Sequence, residues 1–509
     1  MADEEPEPQG GSGGAASDGD VVRRERFSGG PARGFLSSLA ADERIFAADL
    51  AVDRAHVVML AEQGIVDEAA AGAILAALGE VEAAGFDALP DGEDVHAAIE
   101  TAVVDRAGDV GGKMHTARSR NDEVATCIRY RLREDLLDAV EATASFREAL
   151  IEAAETHAGT VMPGYTHRQP AQPTTVGHYL LSYEQAVARD SERLFDAYER
   201  VNRSPLGAAA FAGTTFEVDR ERTADLLGFE GVVANSMDAV STRDFLVEVV
   251  AALANLATTV SGLAEDLVEF SQDGLAELSD DYASTSSIMP QKKNPDTLEL
   301  ARATAGDAAA GLNGLLATLK GLPRAYNRDL QKATPHAWET VDAVTEAVEV
   351  AAGAVATSTW DEQALATAAG EGFSTATGIA DLLATAGVPF RKAHEVVAES
   401  NEIVYEEHSN VSGDDAKRAH YEALDAAAED ALGDSLSAYV EREAVETALD
   451  PEASVATRDS AGGPALAEVT AALDEAAGAA AADEQELTDA RAALADADER
   501  LRGEVSRYA

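Results

Sequence analysis

Apolar residues recur along this chain with the period of a helix packed in a bundle. Between Arg243 and Phe270 the residues Val249, Leu253, Leu256, Val260, Leu263, Leu267 and Phe270 follow one another at alternating spacings of four and three. A 3.5-residue period of this kind draws a straight apolar seam down one helix face, which is buried only by partner helices in a left-handed bundle. As a helix the segment spans about 42 Å. Similar patterns run from about Asp122 to Glu155, Thr174 to Val201, Asp296 to Lys320 and His336 to Ser358. Ala, Leu, Glu and Asp dominate, and alternation of Val, Ile and Thr is scarce. The expectation is an all-α fold of three domains around a central long five-helix bundle, with seams that favour oligomerisation.

The flanks read differently. Residues 1–20 are acidic and Gly/Ser-rich with no apolar core, which predicts a disordered tail and no signal peptide. Residues 21–112 carry shorter helical patterns broken by Gly and Pro, an N-terminal helical domain ahead of the bundle over 113–365. The run from Gly372 to Thr377 and the turn Gly387-Val388-Pro389 open a C-terminal helical domain over 366–509. Its last 60 or so residues, rich in Ala, Asp and Glu, predict helix with solvated faces.

Charge narrows the setting. The chain has 93 acidic and 39 basic residues, a formal charge of −54, and the acids are spread along almost every segment. Without a basic stripe to neutralise phosphates, a nucleic-acid partner is disfavoured. Such a surface suits a halophilic cytoplasm, where molar salt shortens the screening length to about 3 Å. No run of about 18 uncharged apolar residues occurs, so no membrane span is expected. One cysteine, Cys127, excludes an intramolecular disulfide framework and fits an intracellular protein.

Three stretches concentrate chemistry. Ser286-Ser287-Ile288-Met289-Pro290-Gln291-Lys292-Lys293-Asn294-Pro295-Asp296 sets two hydroxyls and two ammonium groups before a helix start, with Asn294 as N-cap and Pro295 at the first helical position. Only seven lysines occur in the chain, and two of them stand here. The residues from about Asp280 read as a mobile loop that can carry a base over a ligand. From Gly111 to Asp122, Lys113, His115, Arg118 and Arg120 gather at a helix N-terminus, an arrangement suited to a carboxylate. Met162 to Pro173 holds three prolines and a glycine around Thr166 and His167, an imidazole suited to acid or base work when a carboxylate orients it. The ten histidines show no metal-ligand spacing and no Gly-rich strand-to-helix turn is present, so neither metal nor cofactor is expected.

The Ser286–Asp296 run resembles the signature loop of the fumarase/aspartase superfamily, and its Gln291-Lys292-Lys293-Asn294-Pro295-Asp296 portion is similar to that of the argininosuccinate lyase family. Thr285 stands where the family usually has Gly. Arg118-Ser119-Arg120-Asn121-Asp122, with Ala117 for the usual Gly, and Tyr165-Thr166-His167 resemble two further family motifs. Asn235 to Phe245, around Arg243, and Ala325-Tyr326-Asn327-Arg328-Asp329-Leu330-Gln331 resemble two more, with Thr242 replacing an Asp. Near the start, Phe35 to Leu39 matches a segment whose second serine, Ser38, contacts ligand. The resemblance covers about residues 22–460. It implies a cofactor-free homotetramer that splits argininosuccinate into arginine and fumarate at sites shared between chains. It assigns catalysis to Ser286, His167, Lys292 and Glu299, with Glu299 pairing His167. Binding falls to Ser38, Ser119, Arg120, Asn121, Thr166, Arg243, Asn294, Tyr326 and Gln331. A binding lysine expected three residues after Gln331 is replaced by Thr334, with Lys332 two residues away. The alternatives are another fumarate-releasing lyase, such as an adenylosuccinate lyase, or a catalytically silent structural member.

The charge reading has a direct check. Dilution below about 0.5 M salt lengthens the screening distance and raises self-repulsion. Helical circular dichroism should fall on desalting; a signal unchanged in dilute buffer counts against salt adaptation.

Overall fold

A computed structural model of the chain describes residues 31–407 and 413–508, so the expected tail over 1–20 lies outside the described residues. The N-terminal part contains α1 (Pro31–Leu36), a 3₁₀ turn over Leu39–Ile45, α2 (Phe46–Glu62), α3 (Glu68–Ala84) and α4 (Val95–Ala107). Asp67 and Asp94 start α3 and α4 by accepting the N–H groups of Ala70 and Ala97 at 2.9 and 2.8 Å. Val57, Ile74, Leu78 and Ile99 bury the inner faces of these helices in one core.

The central part follows the apolar pattern closely. It comprises α5 (Arg120–Thr156), a hairpin of β1 (Val161–Thr166) and β2 (Gln169–Thr175), α6 (Val176–Val201), the short α7 (Arg220–Leu226) and α8 (Ser236–Ser241), α9 (Asp244–Gln272), α10 (Asp296–Leu319) and α11 (Thr334–Thr357). All seven seam residues of α9 are buried, against Leu132, Leu136 and Phe146 of α5, Leu180 and Val187 of α6, and Val344 and Val348 of α11. By length and composition α9 is apolar enough to cross a membrane. Thirteen of its side chains are buried in the bundle, which accounts for that apolarity. In α10, by contrast, Leu300 is 72% and Leu316 49% exposed, an apolar face that nothing among the described residues covers.

Two-residue strands β3 (Ala276–Glu277), β4 (Ser284–Thr285) and β5 (Lys293–Asn294) lie between α9 and α10, and β6 (Thr359–Trp360) follows α11; β3 pairs with β6 and β4 with β5. The C-terminal part holds α12 (Glu362–Ala369), α13 (Ala376–Thr385), α14 (Phe390–Glu407), α15 (Gly413–Leu432), α16 (Arg442–Ala448), α17 (Pro451–Ala456) and α18 (Leu466–Val505). Phe373, Ile379, Leu383, Val396, Leu424 and Leu436 form a core of their own. The segment 366–509 is nevertheless not one packing unit. α18 leaves that core: Val469, Leu473 and Leu487 join the bundle and Leu501 joins the N-terminal core. Buried Arg147 of α5 fastens it, donating to Glu184 of α6 at 2.8 Å and to Asp483 of α18 at 2.6 Å. A pair of this kind keeps its charges satisfied where either partner alone would be costly to bury.

Candidate active site

Four chain segments converge at one end of the bundle. Ser38 before the 3₁₀ turn, Arg120 and Asn121 at the start of α5, Arg243 at the start of α9, and Tyr326 and Gln331 between α10 and α11 line one cavity of about 370 Å³. Arg120 donates to Asp94 at 3.1 Å, while its second terminal nitrogen is buried without a hydrogen-bond partner. Arg243 is 2% exposed, its Nε likewise lacks a partner, and burial holds its pKa down to about 10. Buried donors are normally satisfied. Two guanidinium groups with spare N–H groups at one cavity form a seat for a carboxylate.

Acids line the same cavity: Asp42, Asp94 and Glu339. Asp42 accepts from Ser38 Oγ at 2.8 Å and from the Val95 N–H at 3.2 Å, and burial pushes its carboxyl up. The cavity therefore suits a ligand carrying both a carboxylate and a cation. Sequence reading missed these acids. The available signal was slight, an acid one helical turn after Ser38 and another in an N-cap position.

Other expected residues act at one remove. Ser119 is absent from the cavity lining. Its Oγ accepts the Asn121 N–H at 3.3 Å while Asp122 accepts the Ser119 N–H at 2.9 Å, a capping box that fixes the turn from which Arg120 and Asn121 project. Thr334 lines the cavity and Lys332 does not. Of the four cations expected to gather near this helix start, Arg120 alone lines it: Lys113 pairs with Asp67 at 3.0 Å, His115 stands 3.9 Å from Glu100, and Arg118 is buried elsewhere. Ala117 has φ +63°, a left-handed conformation that explains why glycine is usual there.

Arg118 centres a network behind the cavity. It donates to Asp53 at 2.5 Å and lies 2.9 Å from Glu123. His96, which lines the cavity, places Nδ1 2.8 Å from Asp49 and 3.8 Å from Glu123. The thiol of Cys127 also donates to Asp49, at 3.4 Å. Asp49, Asp53 and Glu123 gather as closely as metal ligands do, but Asp53 and Glu123 pair with the Arg118 guanidinium and Asp49 with His96. Three carboxylates face two cations, so the cluster retains a proton. Burial pushes Asp53 up to about 7 and Glu123 well above the usual glutamate range. On Asp49 burial is overcome by the His96 charge, and its pKa falls. On His96 burial is overcome by Asp49 and Glu123, and its pKa rises to about 10.

The remaining expected residues lie at the opposite end of the bundle. α5, with Arg120 at its start, is about 55 Å long, and the turn bearing Thr166 and His167 follows its far end. α9 likewise runs from Arg243 towards the Ser286 loop. His167 and Arg168 occupy the two central positions of the β1–β2 turn with φ +56° and +60°. Two consecutive non-glycine residues with positive φ cost about 1–3 kcal/mol each and persist only where neighbours hold them. Arg168 provides the hold, pairing with Glu265 at 3.2 Å and with Glu269, both on α9. Thr166 and His167 remain exposed.

The Ser286 loop is a small hairpin, closed by β4 and β5, so Thr285 is paired with Lys293. Ser286 Oγ accepts the N–H groups of Ile288 and Met289 at 3.3 and 3.1 Å, which favours negative charge on that oxygen. The two lysines differ. Lys293 is tied to Asp280 at 2.8 Å and Glu277 at 3.1 Å, whereas Lys292 makes no ion pair among the described residues. The helix start is shifted by one from expectation: Pro295 holds the N-cap position, and Asn294 precedes it in β5, because the ladder with Ser284 keeps Asn294 extended. Glu299, one turn into α10, is exposed, and no hydrogen bond joins it to His167 within one chain among the described residues.

Known proteins match the chain in sequence and in fold. The family profile described as "Lyase" matches residues 35–309, and that described as "Argininosuccinate lyase C-terminal" matches 373–456. A solved EDDS lyase in complex with formate superposes with a TM-score of 0.84 and 35% identity, covering 94% of this chain and 96% of that one. A variant of EDDS lyase with bound fumarate gives 0.83 and 34% over the same shares. The chain is thus a member of the lyase family built on this helical bundle. An argininosuccinate lyase of Natronomonas pharaonis is 71% identical over 89% of this chain and 90% of its own, and one of Methanosarcina acetivorans is 46% identical over 88% and 91%. Within the lyases the chain belongs to the argininosuccinate lyase family.

The buried imidazolium has a measurable consequence. Its folded pKa of about 10 lies above the ordinary value of 6.5. The stability it contributes is therefore full below about pH 6.5 and disappears as pH rises through 10. The melting temperature of the wild type should decline between pH 7 and 10.5 more steeply than that of His96→Gln. Parallel declines would show that His96 is neutral in the folded protein.

Proposed function

We propose that the protein is an argininosuccinate lyase, eliminating fumarate from argininosuccinate to leave arginine, and that each active site is assembled from several chains of a homotetramer. The observation that carries this reading is the cavity at the start of α5, lined by Arg120 and Arg243, each with an unpartnered nitrogen, and by the acids Asp42 and Asp94. Carboxylate seats beside acids suit the amino-acid end of the substrate. The family relatives at 71% and 46% identity, named for this activity, support it further.

The elimination removes a proton from the carbon beside a carboxylate, and the resulting negative charge passes into that carboxylate. Ser286 takes the proton as its alkoxide and becomes the neutral hydroxyl, the anionic oxygen being stabilised by two backbone N–H groups. Lys292 and Asn294 meet the developing charge. His167, oriented by Glu299, serves the guanidinium leaving group as its C–N bond breaks; the reverse assignment of acid and base uses the same two side chains. Thr166 and Asn294 bind from this end, and Ser38, Arg120, Asn121, Arg243, Tyr326 and Gln331 from the other, with Ser119 holding the α5 start. No cofactor enters the scheme. The uncovered face of α10 supports assembly, and the −54 charge supports a salt-rich cytoplasm as the working medium.

Ser286→Ala should keep its helical content and lose about 10²- to 10⁴-fold in turnover, read as fumarate absorbance with argininosuccinate at molar salt. A correctly assembled variant with wild-type rates removes Ser286 from the mechanism.

The composite site has its own test. His167→Asn and Ser286→Ala chains, each inactive alone, should regain activity when refolded together. Random mixing leaves about a quarter of sites with both residues intact, because each must come from the other variant's chain. If tagged pull-down shows mixed tetramers and activity stays at zero, the two residues serve one chain's site.

A further inference from the structure

A second cavity, of about 760 Å³, lies between α2, α5 and α18. Six arginines line it: Arg44 from the 3₁₀ turn, Arg54 from α2, Arg131 and Arg133 from α5, and Arg491 and Arg502 from α18. Three carboxylates share its walls, Glu82, Glu134 and Asp498, and four more, Asp135, Asp138, Glu141 and Asp342, pair with its arginines from outside the lining.

Five of the six make ion pairs. Arg54 meets Glu82 at 2.6 Å, Arg131 meets Glu134 at 2.8 Å, and Arg502 meets Asp498 at 2.7 Å. Arg44 and Arg491 turn to carboxylates outside the lining, Asp342 at 2.6 Å and Glu141 at 2.6 Å. Arg133 is different. It is 1% exposed and donates to three neutral oxygens, the side chain of Asn202 at 2.9 Å and the carbonyls of Gly228 and Leu227 at 2.7 and 2.8 Å. Its Nε has no partner, and its guanidinium lies over the rings of Phe229 and Tyr130 at 4.0 and 4.9 Å. A buried cation held by neutral groups alone is electrostatically incomplete. The buried Nε of Arg131, two residues earlier on α5, is also unpartnered among the described residues.

We propose that this cavity is a binding site for a small anion with several charged oxygens, which supplies the counter-charge Arg133 lacks. Planar guanidinium forks on three helices match several oxygens of one ligand, whereas a halide offers a single point of contact. The partly enclosed walls keep the attraction from being fully screened by salt.

The test uses the full chain in molar KCl, with inorganic pyrophosphate and citrate titrated calorimetrically against matched additions of KCl. The two anions separate a phosphate-type ligand from a polycarboxylate. At least one should give saturable heat with a Kd of about 1 mM or tighter, while KCl gives none. Stabilisation by simple exclusion of these salts from the surface does not saturate. In Arg54→Gln/Arg502→Gln the affinity should fall at least tenfold, with helical circular dichroism retained as the check on folding. Absence of saturable heat from both anions, equal heat from KCl, or wild-type affinity in the folded double variant overturns the proposal.

Discussion

A helix of 37 residues cannot bend its two ends onto one small ligand, and the rest of this molecule is arranged around that fact. α5 carries Arg120 at its start and delivers the His167 turn beyond its end; α9 repeats the pattern with Arg243 and the Ser286 loop. One bundle thus carries the two groups of candidate site residues at opposite ends. The cavity residues are already hydrogen-bonded, while Thr166 and His167 stand in the open and Ser286 is half-buried. Rigid helices favour this division, since each half-site is held by packing rather than by a long loop.

Charge is used in opposite ways inside and outside. The exterior carries the excess of acids that gives the chain its −54. Inside, cations are placed singly where an acid or a ligand needs one: Arg118 among three carboxylates, Arg147 between Glu184 and Asp483, Arg243 with no carboxylate partner at the cavity. Arginine suits these positions because its charge survives burial and its fork bonds two acceptors at once. The lysines are too few for a general surface role, and the adjacent pair in the Ser286 loop divides its work, Lys293 bracing the hairpin and Lys292 left to face outward.

The bundle was legible because its signal is long and periodic. Seven apolar residues at spacings of four and three place α9 within two residues of its limits, and the other four long helices follow by the same rule. The candidate binding residues from Ser38 to Gln331 were legible as motifs, and the folded chain brings six of them to one cavity. What escaped was whatever depended on distant partners. Nothing near Asp42 or His96 announces that they face a cavity, since that follows from the packing of α2 and α4 against α5. The destiny of Arg118 was hidden for the same reason: its partner Asp53 lies 65 residues earlier. The Ala- and Glu-rich pattern of α18 reads as a solvated helix, and the sparse row of Val469, Leu473 and Leu487 is too thin to point back to the bundle.

That last helix changes the order in which the protein can be completed. A ribosome delivers the N-terminal domain first, and such domains often fold as they emerge. Here the core built on Val57, Ile74 and Ile99 also contains Leu501, and the Tyr508 carbonyl sits against Gly72. The first domain therefore cannot finish its own interior until the final residues have been made. Loss of a few residues from the tail end would open the beginning of the chain, so a truncated product is unfinished at both ends and exposed to proteolysis from the start.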